Sequence, residues 1–416
     1  MLESSSERRD GTSGSASPAI SRRLAIVFLA LFGAMTSFFL LASVVPLYAA
    51  TLGGKTSGAG FSTGVLLFAA VAAEIAAPSL VKRWGRRRVV AAGFFLLGAP
   101  ALLLGTATSS DALIALCAIR GVGFGVLAVA GGALVVSLAA PAQRGYVLGV
   151  YGIVATVPAV FALPLGVWLS GHVGFSALFM MGGLAALVGI ASAPCVPPEE
   201  AGSEELISIG AGFKKPTLIW PAVAFAATAM AAGVITTFLP MMTSDLPAGT
   251  AAWGLLIQAL TGTLTRWLAG RYGHRFSGYR LLGPSVVLAV GGVLALGTAG
   301  GTLWVLLSML LFGAGFGAAQ NASLGLMLDQ IDARGYDTVN ALWNLAYDLG
   351  WGTGASGFGL LAARCGFLLA FAVSGAVMLV MLTVAWRQGR APTAPTGLVI
   401  PSPVTHAEHR IAIEHS

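Results

Sequence analysis

Pro78-Ser-Leu-Val-Lys-Arg-Trp-Gly-Arg-Arg-Arg-Val89 is a short basic loop wedged between two long apolar runs. A similar loop recurs as Arg266-Trp-Leu-Ala-Gly-Arg-Tyr-Gly-His-Arg275, again between apolar runs. Aligning Gly85 with Gly273 gives an offset of 188 residues in a chain of 416. A basic turn repeated at nearly half the chain length implies two related halves, each with its turn on the same side of a membrane.

Composition agrees with that reading. Hydrophobic residues make up 56% of the chain and charged residues 9%, against about 25% charged in a soluble domain. Twelve apolar runs are long enough to cross about 30 Å of hydrocarbon. They cover 24–50, 60–81, 89–107, 112–139, 146–170 and 174–194, then 218–243, 251–270, 280–299, 302–327, 338–363 and 366–386. The run from Leu24 is too long for the core of a cleaved signal peptide and reads as a retained first span. The expected organisation is a disordered tail over 1–23, a six-helix bundle over 24–196, a linker over 197–216, a second bundle over 217–388, and a disordered tail over 389–416. The linker holds Glu199, Glu200, Glu204, Glu205, Lys214 and Lys215.

The net charge of +7 lies in short loops rather than on one continuous face, which argues against nucleic acid. Cys117, Cys195 and Cys365 are far apart and have no metal or redox spacing, so they read as small apolar packers. With an even number of spans, one set of loops carries almost all the Lys and Arg and the opposite set only Lys55 and Arg364. Positive loops stay inside, so both termini are expected in the cytoplasm and the chain in the plasma or inner membrane.

The repeat extends beyond the basic turn. Val-Val-Pro46-Leu is echoed by Phe-Leu-Pro240-Met, Gly121-Val-Gly-Phe-Gly125 by Gly313-Ala-Gly-Phe-Gly317, and Arg144-Gly-Tyr146 by Arg334-Gly-Tyr336. The two Gly-x-Gly-Phe-Gly runs lie inside apolar spans, not between a strand and a helix, so they are not nucleotide loops. Six helices duplicated in the same orientation give parallel halves related by an axis along the membrane normal.

On these residues the chain resembles the major facilitator superfamily of secondary transporters, over roughly residues 22–388. Leu80, Arg83, Gly85, Arg86 and Arg87 match the family signature between helices 2 and 3. Pro78 stands where the family has Gly, and Lys82 where it has Asp. Arg120 and the glycines after it match a second signature, common in proton-coupled members. Ala162-Leu-Pro164-Leu-Gly166 partly matches the antiporter motif of helix 5. The resemblance implies an all-α membrane protein with twelve transmembrane helices in two pseudo-symmetric six-helix bundles.

Ionisable groups inside spans are expensive in hydrocarbon and are therefore functional candidates. Glu74, Arg120 and Asp348 are the candidates for proton coupling. Burial favours the neutral form of a carboxyl and a neighbouring guanidinium favours the charged form, so a carboxylate that meets Arg120 in one conformation only would bind and release a proton in each cycle. Arg266 lies close enough to a helix end to snorkel. At 100° per residue Asn340, Asn344, Tyr347, Asp348 and Trp351 share one stripe of a helix, which lipid cannot satisfy. The resemblance places that helix beside a central cavity. Gln258, Gln320 and Asn321 are further candidates for its lining, and Phe38, Tyr48 and Phe238 for its aromatic walls.

No nucleophile, metal cluster, Walker loop or cofactor site is apparent, so neither an enzyme nor an ATP-driven pump is expected. The expectation is a proton-coupled carrier of a small, amphiphilic organic molecule, working as a monomer by alternating access, and exporting a drug or metabolite. Uptake of a small nutrient is the alternative, and a non-transporting sensor of the same fold the third reading. In the superfamily the Asp at the position of Lys82 approaches the start of helix 11. Here the loop before that helix is acidic, with Asp329, Asp332 and Asp337. A polarity-swapped cytoplasmic gate is expected, with Lys82, Arg83, Gly85, Arg86 and Arg87 meeting Asp332 and Asp337. The second copy has Gly270 at the acid position and should latch weakly.

Overall fold

Proline and glycine punctuate the apolar runs, and the computed structural model shows what each does. It describes residues 21–53, 56–140, 143–197, 215–272, 278–298, 300–331 and 336–389. The expected tails and linker lie almost wholly outside these residues, as do Asp332, Arg334, Gly273, His274, Arg275 and the side chain of Asp337.

Helix α1 (Arg22–Ala42) starts where the Ser21 hydroxyl accepts the Leu24 N–H at 3.3 Å. It breaks at Ser43 and continues as α2 (Val44–Thr51). Pro46, four residues after Ala42, has no N–H to give that carbonyl and its ring crowds it. Helix α3 (Thr56–Trp84) is separated from α4 (Arg86–Leu103) by Gly85 alone, at φ +82°. Glycine adopts this left-handed conformation without a Cβ penalty, and the Gly85 N–H donates to the Val81 carbonyl at 2.8 Å. The basic turn is therefore a hairpin pivot with no loop at all.

The chain continues through α5 (Ser110–Ser137), α6 (Arg144–Ser170) and α7 (Phe175–Leu187), which a 3-10 segment, Val188–Cys195, prolongs. Ser109 caps α5 through the Ala112 N–H at 3.2 Å, with Asp111 in the first turn where the helix dipole favours an acid. The second half comprises α8 (Pro216–Met242), α9 (Thr250–Tyr272), α10 (Gly278–Gly297), α11 (Thr302–Leu328) and α12 (Tyr336–Gly389). Gly366, at φ +79°, divides α12 into arms 336–365 and 367–389.

Each of the twelve expected spans falls mainly on helix among the described residues. Ten stretches among the described residues are long and apolar enough to cross a membrane, and the 47-residue one contains both arms of α12. Helix α9 falls short of that apolarity, since Gln258, Arg266 and its threonines lower its hydropathy. Twelve crossings are reached only when α9 is counted with the others.

Buried apolar side chains form two clusters. One draws on α1 to α7 together with Trp351, the other on α8 to α12 together with Ala59 and Leu163. Outward residues such as Leu29 and Leu303, each 70% exposed, suit lipid. The halves meet along a seam of small residues, where helix axes approach closely because little side chain intervenes. A Cβ on Gly60 would overlap the Ala355 carbonyl, and one on Gly64 the Ser356 hydroxyl. Behind this seam Gly233, Gly350 and Gly354 allow equally close packing of α8 on α12. Thr63 and Thr237 join α3 to α8 through their hydroxyls at 3.1 Å.

The seam is tight toward the end opposite the basic turns and loosens toward them. Helix α6 buries Pro158, Ala162, Leu163, Pro164 and Gly166, whereas between 146 and 157 only Val147 is buried. The lower part of α9 is likewise mostly uncovered, with Leu264 at 55% and Trp267 at 58% exposure.

Candidate substrate and proton site

Glu74 and Asp348 come from opposite halves and meet across the seam. Their carboxyl groups lie within hydrogen-bonding reach of each other, at 3% and 4% exposure. Glu74 is ten residues from the end of α3, about 15 Å at 1.5 Å per residue. A hydrogen bond between two carboxyl groups needs a proton on one of them, because two carboxylates offer only acceptors. Two negative charges so close in a dry interior would repel strongly.

Arg120, the third expected coupling residue, is not part of this pair. It is 1% exposed, and its Nε donates to the Leu97 carbonyl of α4 at 3.3 Å. Its Nη2 has no hydrogen-bond partner among the described residues. Arg120 and Trp351 line a cavity of about 20 Å³ with Phe38, Ser62, Thr63, Leu66 and Leu67. The indole N–H of Trp351 is likewise buried and unpartnered among the described residues.

The stripe on α12 separates by depth. Asn340 is exposed and Asn344 half-buried, near the loose end of the seam, whereas Asp348 and Trp351 are buried within it. Tyr347 packs on both hydrophobic clusters and stacks on Phe225 at 5.7 Å. Periodicity passed over Trp343, which stacks on Phe225 at 4.4 Å and donates to Ser323 Oγ at 3.1 Å. It is also the face over which Arg266 lies, at 5.8 Å. Arg266 turns to α11, where its Nη1 donates to Gln320 Oε1 at 3.3 Å. Its distance from the helix end favoured snorkelling, and only the position of α11 reveals the inward partner.

Gln258 is buried against α11, and the Asn321 amide lies against Gly270 of α9. Among the expected aromatic walls, Phe38 lines the cavity, stacked on Phe124 at 4.1 Å and edge-on to Trp351 at 6.0 Å. Tyr48 instead donates to the Ala107 carbonyl at 3.2 Å. Phe238 is packed against Phe358 and Phe367. In the expected gate, Lys82, Arg83 and Arg87 are exposed and Arg86 is buried. Gly85, Arg86 and Arg87 border a surface hollow of about 450 Å³ with Trp84, Ala193 and Pro197. Their expected partners, Asp332 and the Asp337 side chain, lie outside the described residues.

The architecture is shared with solved transporters. The nucleoside transporter NupG superposes with a TM-score of 0.70 at 12% identity, over 89% of this chain and 100% of its own. A bacterial homologue of the human lysosomal transporter Spinster, in an inward-facing and occupied conformation, superposes with a TM-score of 0.71 at 15% identity, over 90% and 97%. A D-xylose-proton symporter gives 0.70 at 16% identity, over 88% and 96%. Identities this low establish fold. The family model for the Major Facilitator Superfamily matches residues 27–355. The chain is a multi-pass membrane transporter, not an enzyme, and belongs to the Major Facilitator Superfamily.

Proposed function

We propose that this protein moves a small, amphiphilic organic molecule by proton-coupled alternating access, with export as its direction. The observation that carries the reading is the hydrogen-bonded meeting of Glu74 and Asp348 across the seam. One shared proton lets the two halves close there. Loss of that proton leaves like charges facing each other at low dielectric, which favours separation. Proton occupancy thereby biases a two-state element, as coupling requires.

The tight end of the seam is read as the outer side, because the basic turns mark the cytoplasm. The described state is then inward-facing, like that reported for the Spinster homologue. The two bundles, over 24–196 and 217–388, act as the rocking bodies, and both termini lie in the cytoplasm of a cell whose plasma or inner membrane holds a monomer. Tyr347, Trp351 and Phe38 supply the apolar faces of the substrate site, with Asn340, Asn344, Gln320, Asn321 and Gln258 as polar contacts along the path. Partial identity with the antiporter motif at Ala162–Gly166, where Gly166 packs on the Leu40 carbonyl, supports export.

The test is flux in right-side-out and inside-out vesicles, with a panel of organic compounds and an imposed pH gradient. Gradient-dependent accumulation is expected on one vesicle orientation, with Asp348→Asn losing the gradient dependence. Flux indifferent to the gradient, or unchanged in Asp348→Asn, would refute the coupling role.

A further inference from the structure

Arg120 poses an electrostatic problem that the carboxyl pair does not solve. It is a full positive charge at 1% exposure, with no carboxylate in ion-pair contact among the described residues. A charge in the hydrocarbon interior is costly unless something negative or strongly accepting faces it. The Leu97 carbonyl takes Nε only. The titratable neighbour on its own helix is the thiol of Cys117, one turn earlier. Glu74 lies seven residues beyond Leu67 of the cavity wall, about 10 Å along α3, and its hydrogen bond goes to Asp348.

Two buried donor groups belong to residues that line the same hollow. Arg120 Nη2 and Trp351 Nε1 are both buried and unsatisfied among the described residues, and both residues line the cavity. Neither side chain can accept a hydrogen bond. A ligand that satisfies both donors must offer them acceptors, and a negative one is favoured twice, by hydrogen bonding and by charge. The remaining wall is apolar, including Phe38, Leu66 and Leu67, apart from the hydroxyls of Ser62 and Thr63, which are engaged with the Ala59 carbonyl and with Thr237. A single positive charge with apolar walls suits one negative charge on an organic body, and is poorly matched to phosphate or a cation. The cavity of about 20 Å³ has room for one water-sized group, such as a carboxylate oxygen.

We infer that the hollow between Arg120 and Trp351 is the subsite for the carboxylate of a small organic monoanion. Arg120 Nη2 and the Trp351 indole donate to its oxygens, and the apolar walls part for the body when the seam loosens. The inference rests on the transporter reading and names the chemical class of its substrate.

The experiment uses the full chain in lipid nanodiscs at pH 7, with no gradient, and reads thermal unfolding. The probes are benzoate and hexanoate against their neutral amides and the matching amines, benzylamine and hexylamine. Concentration-dependent stabilisation by benzoate or hexanoate is expected, with little or none from the amides and amines. Arg120→Gln should weaken that binding about tenfold or more, since a hydrogen bond to a charged group is removed. Trp351→Phe should weaken it several-fold, and Arg120→Lys should retain part of it. Arg271→Gln, the loss of an exposed surface charge, should change nothing. If Arg120→Gln does not fold, Arg120→Lys and Trp351→Phe decide. No stabilisation of the wild type by either carboxylate would overturn the inference, as would equal stabilisation by the amides or undiminished binding in the Arg120 and Trp351 variants. Because no proton gradient is present, a failure here is separable from a failure of proton coupling, which the vesicle assay detects.

Discussion

Gly60→Ala should open the outer seam without disturbing either bundle. A methyl group there would overlap the Ala355 carbonyl and sit 3.2 Å from the Gly359 Cα. Both obstacles are backbone, so no rotamer change relieves them. Overpacking of this kind costs about 1–3 kcal/mol, and the cost falls only on the state in which α3 and α12 are in contact. It translates into a shift of about 5- to 150-fold in the ratio of open to closed seam. Gly58→Ala supplies the control, because its added methyl group would meet only Ser110 Oγ, at 3.9 Å. Both changes raise helix propensity in the same turn of α3, so propensity cancels in the comparison. The assay is alkylation of Thr237→Cys by a membrane-impermeant maleimide, in a background with Cys117, Cys195 and Cys365 replaced by alanine. Thr237 is fully buried and faces Thr63 across the seam, so its labelling rate reports the open fraction. The rate should rise 5- to 150-fold in Gly60→Ala and stay near the parent in Gly58→Ala. Equal rates in the two variants would refute the seam as the closing element.

Gly85→Ala should lower the unfolding midpoint, because a non-glycine residue at φ +82° costs about 1–2 kcal/mol. A circular-dichroism melt checks it. Lys82→Asp should shift the protein further towards its inward-facing state, with slower labelling of Thr237→Cys. Adding Asp337→Lys should recover part of the loss, at about 0.2–1 kcal/mol per exposed pair. No recovery in the double variant would show that these residues do not pair. Arg266→Gln should leave folding intact and alter the intrinsic fluorescence, since the guanidinium is removed from above Trp343.

The fold was legible in the sequence because its determinants are local and repeated. Apolar length marks each crossing and the repeated landmarks at Gly85, Pro46 and Gly121–Gly125 mark the duplication, whereas the break at Ser43 and the positive φ at Gly85 and Gly366 emerge only in three dimensions. Helix α9 shows the limit, because its threonines and Arg266 lower its hydropathy, while the partners they find, carbonyls of α9 itself and Gln320 of α11, appear only in the folded chain. The site was legible one helix at a time. Periodicity found the face bearing Tyr347, Asp348 and Trp351, and the cost of intramembrane charge found Glu74 and Arg120. Which of these meet is a property of helix packing. Nothing in the residue pattern distinguishes Glu74, aimed at the other half, from Arg120, turned to Leu97 and the cavity. Trp343 was missed because its partners, Phe225, Ser323 and Arg266, lie on three different helices. The gate residues of the basic turn were equally plain as a motif, but their acidic partners lie outside the described residues, so the pairing rests on the double variant.

We propose that the Glu74–Asp348 pair ties a proton to closure of the outer seam. The closed seam holds at least one proton that the separated carboxylates release, so closure should gain as pH falls. Labelling of Thr237→Cys across a pH series, with no substrate and no gradient, tests this most directly. Rates corrected for the reagent's own pH dependence should fall towards acid and rise towards alkali. Glu74→Gln combined with Asp348→Asn should abolish the dependence, because a neutral amide pair hydrogen-bonds at any pH. A corrected rate that follows pH identically in the wild type and the double variant would contradict the claim.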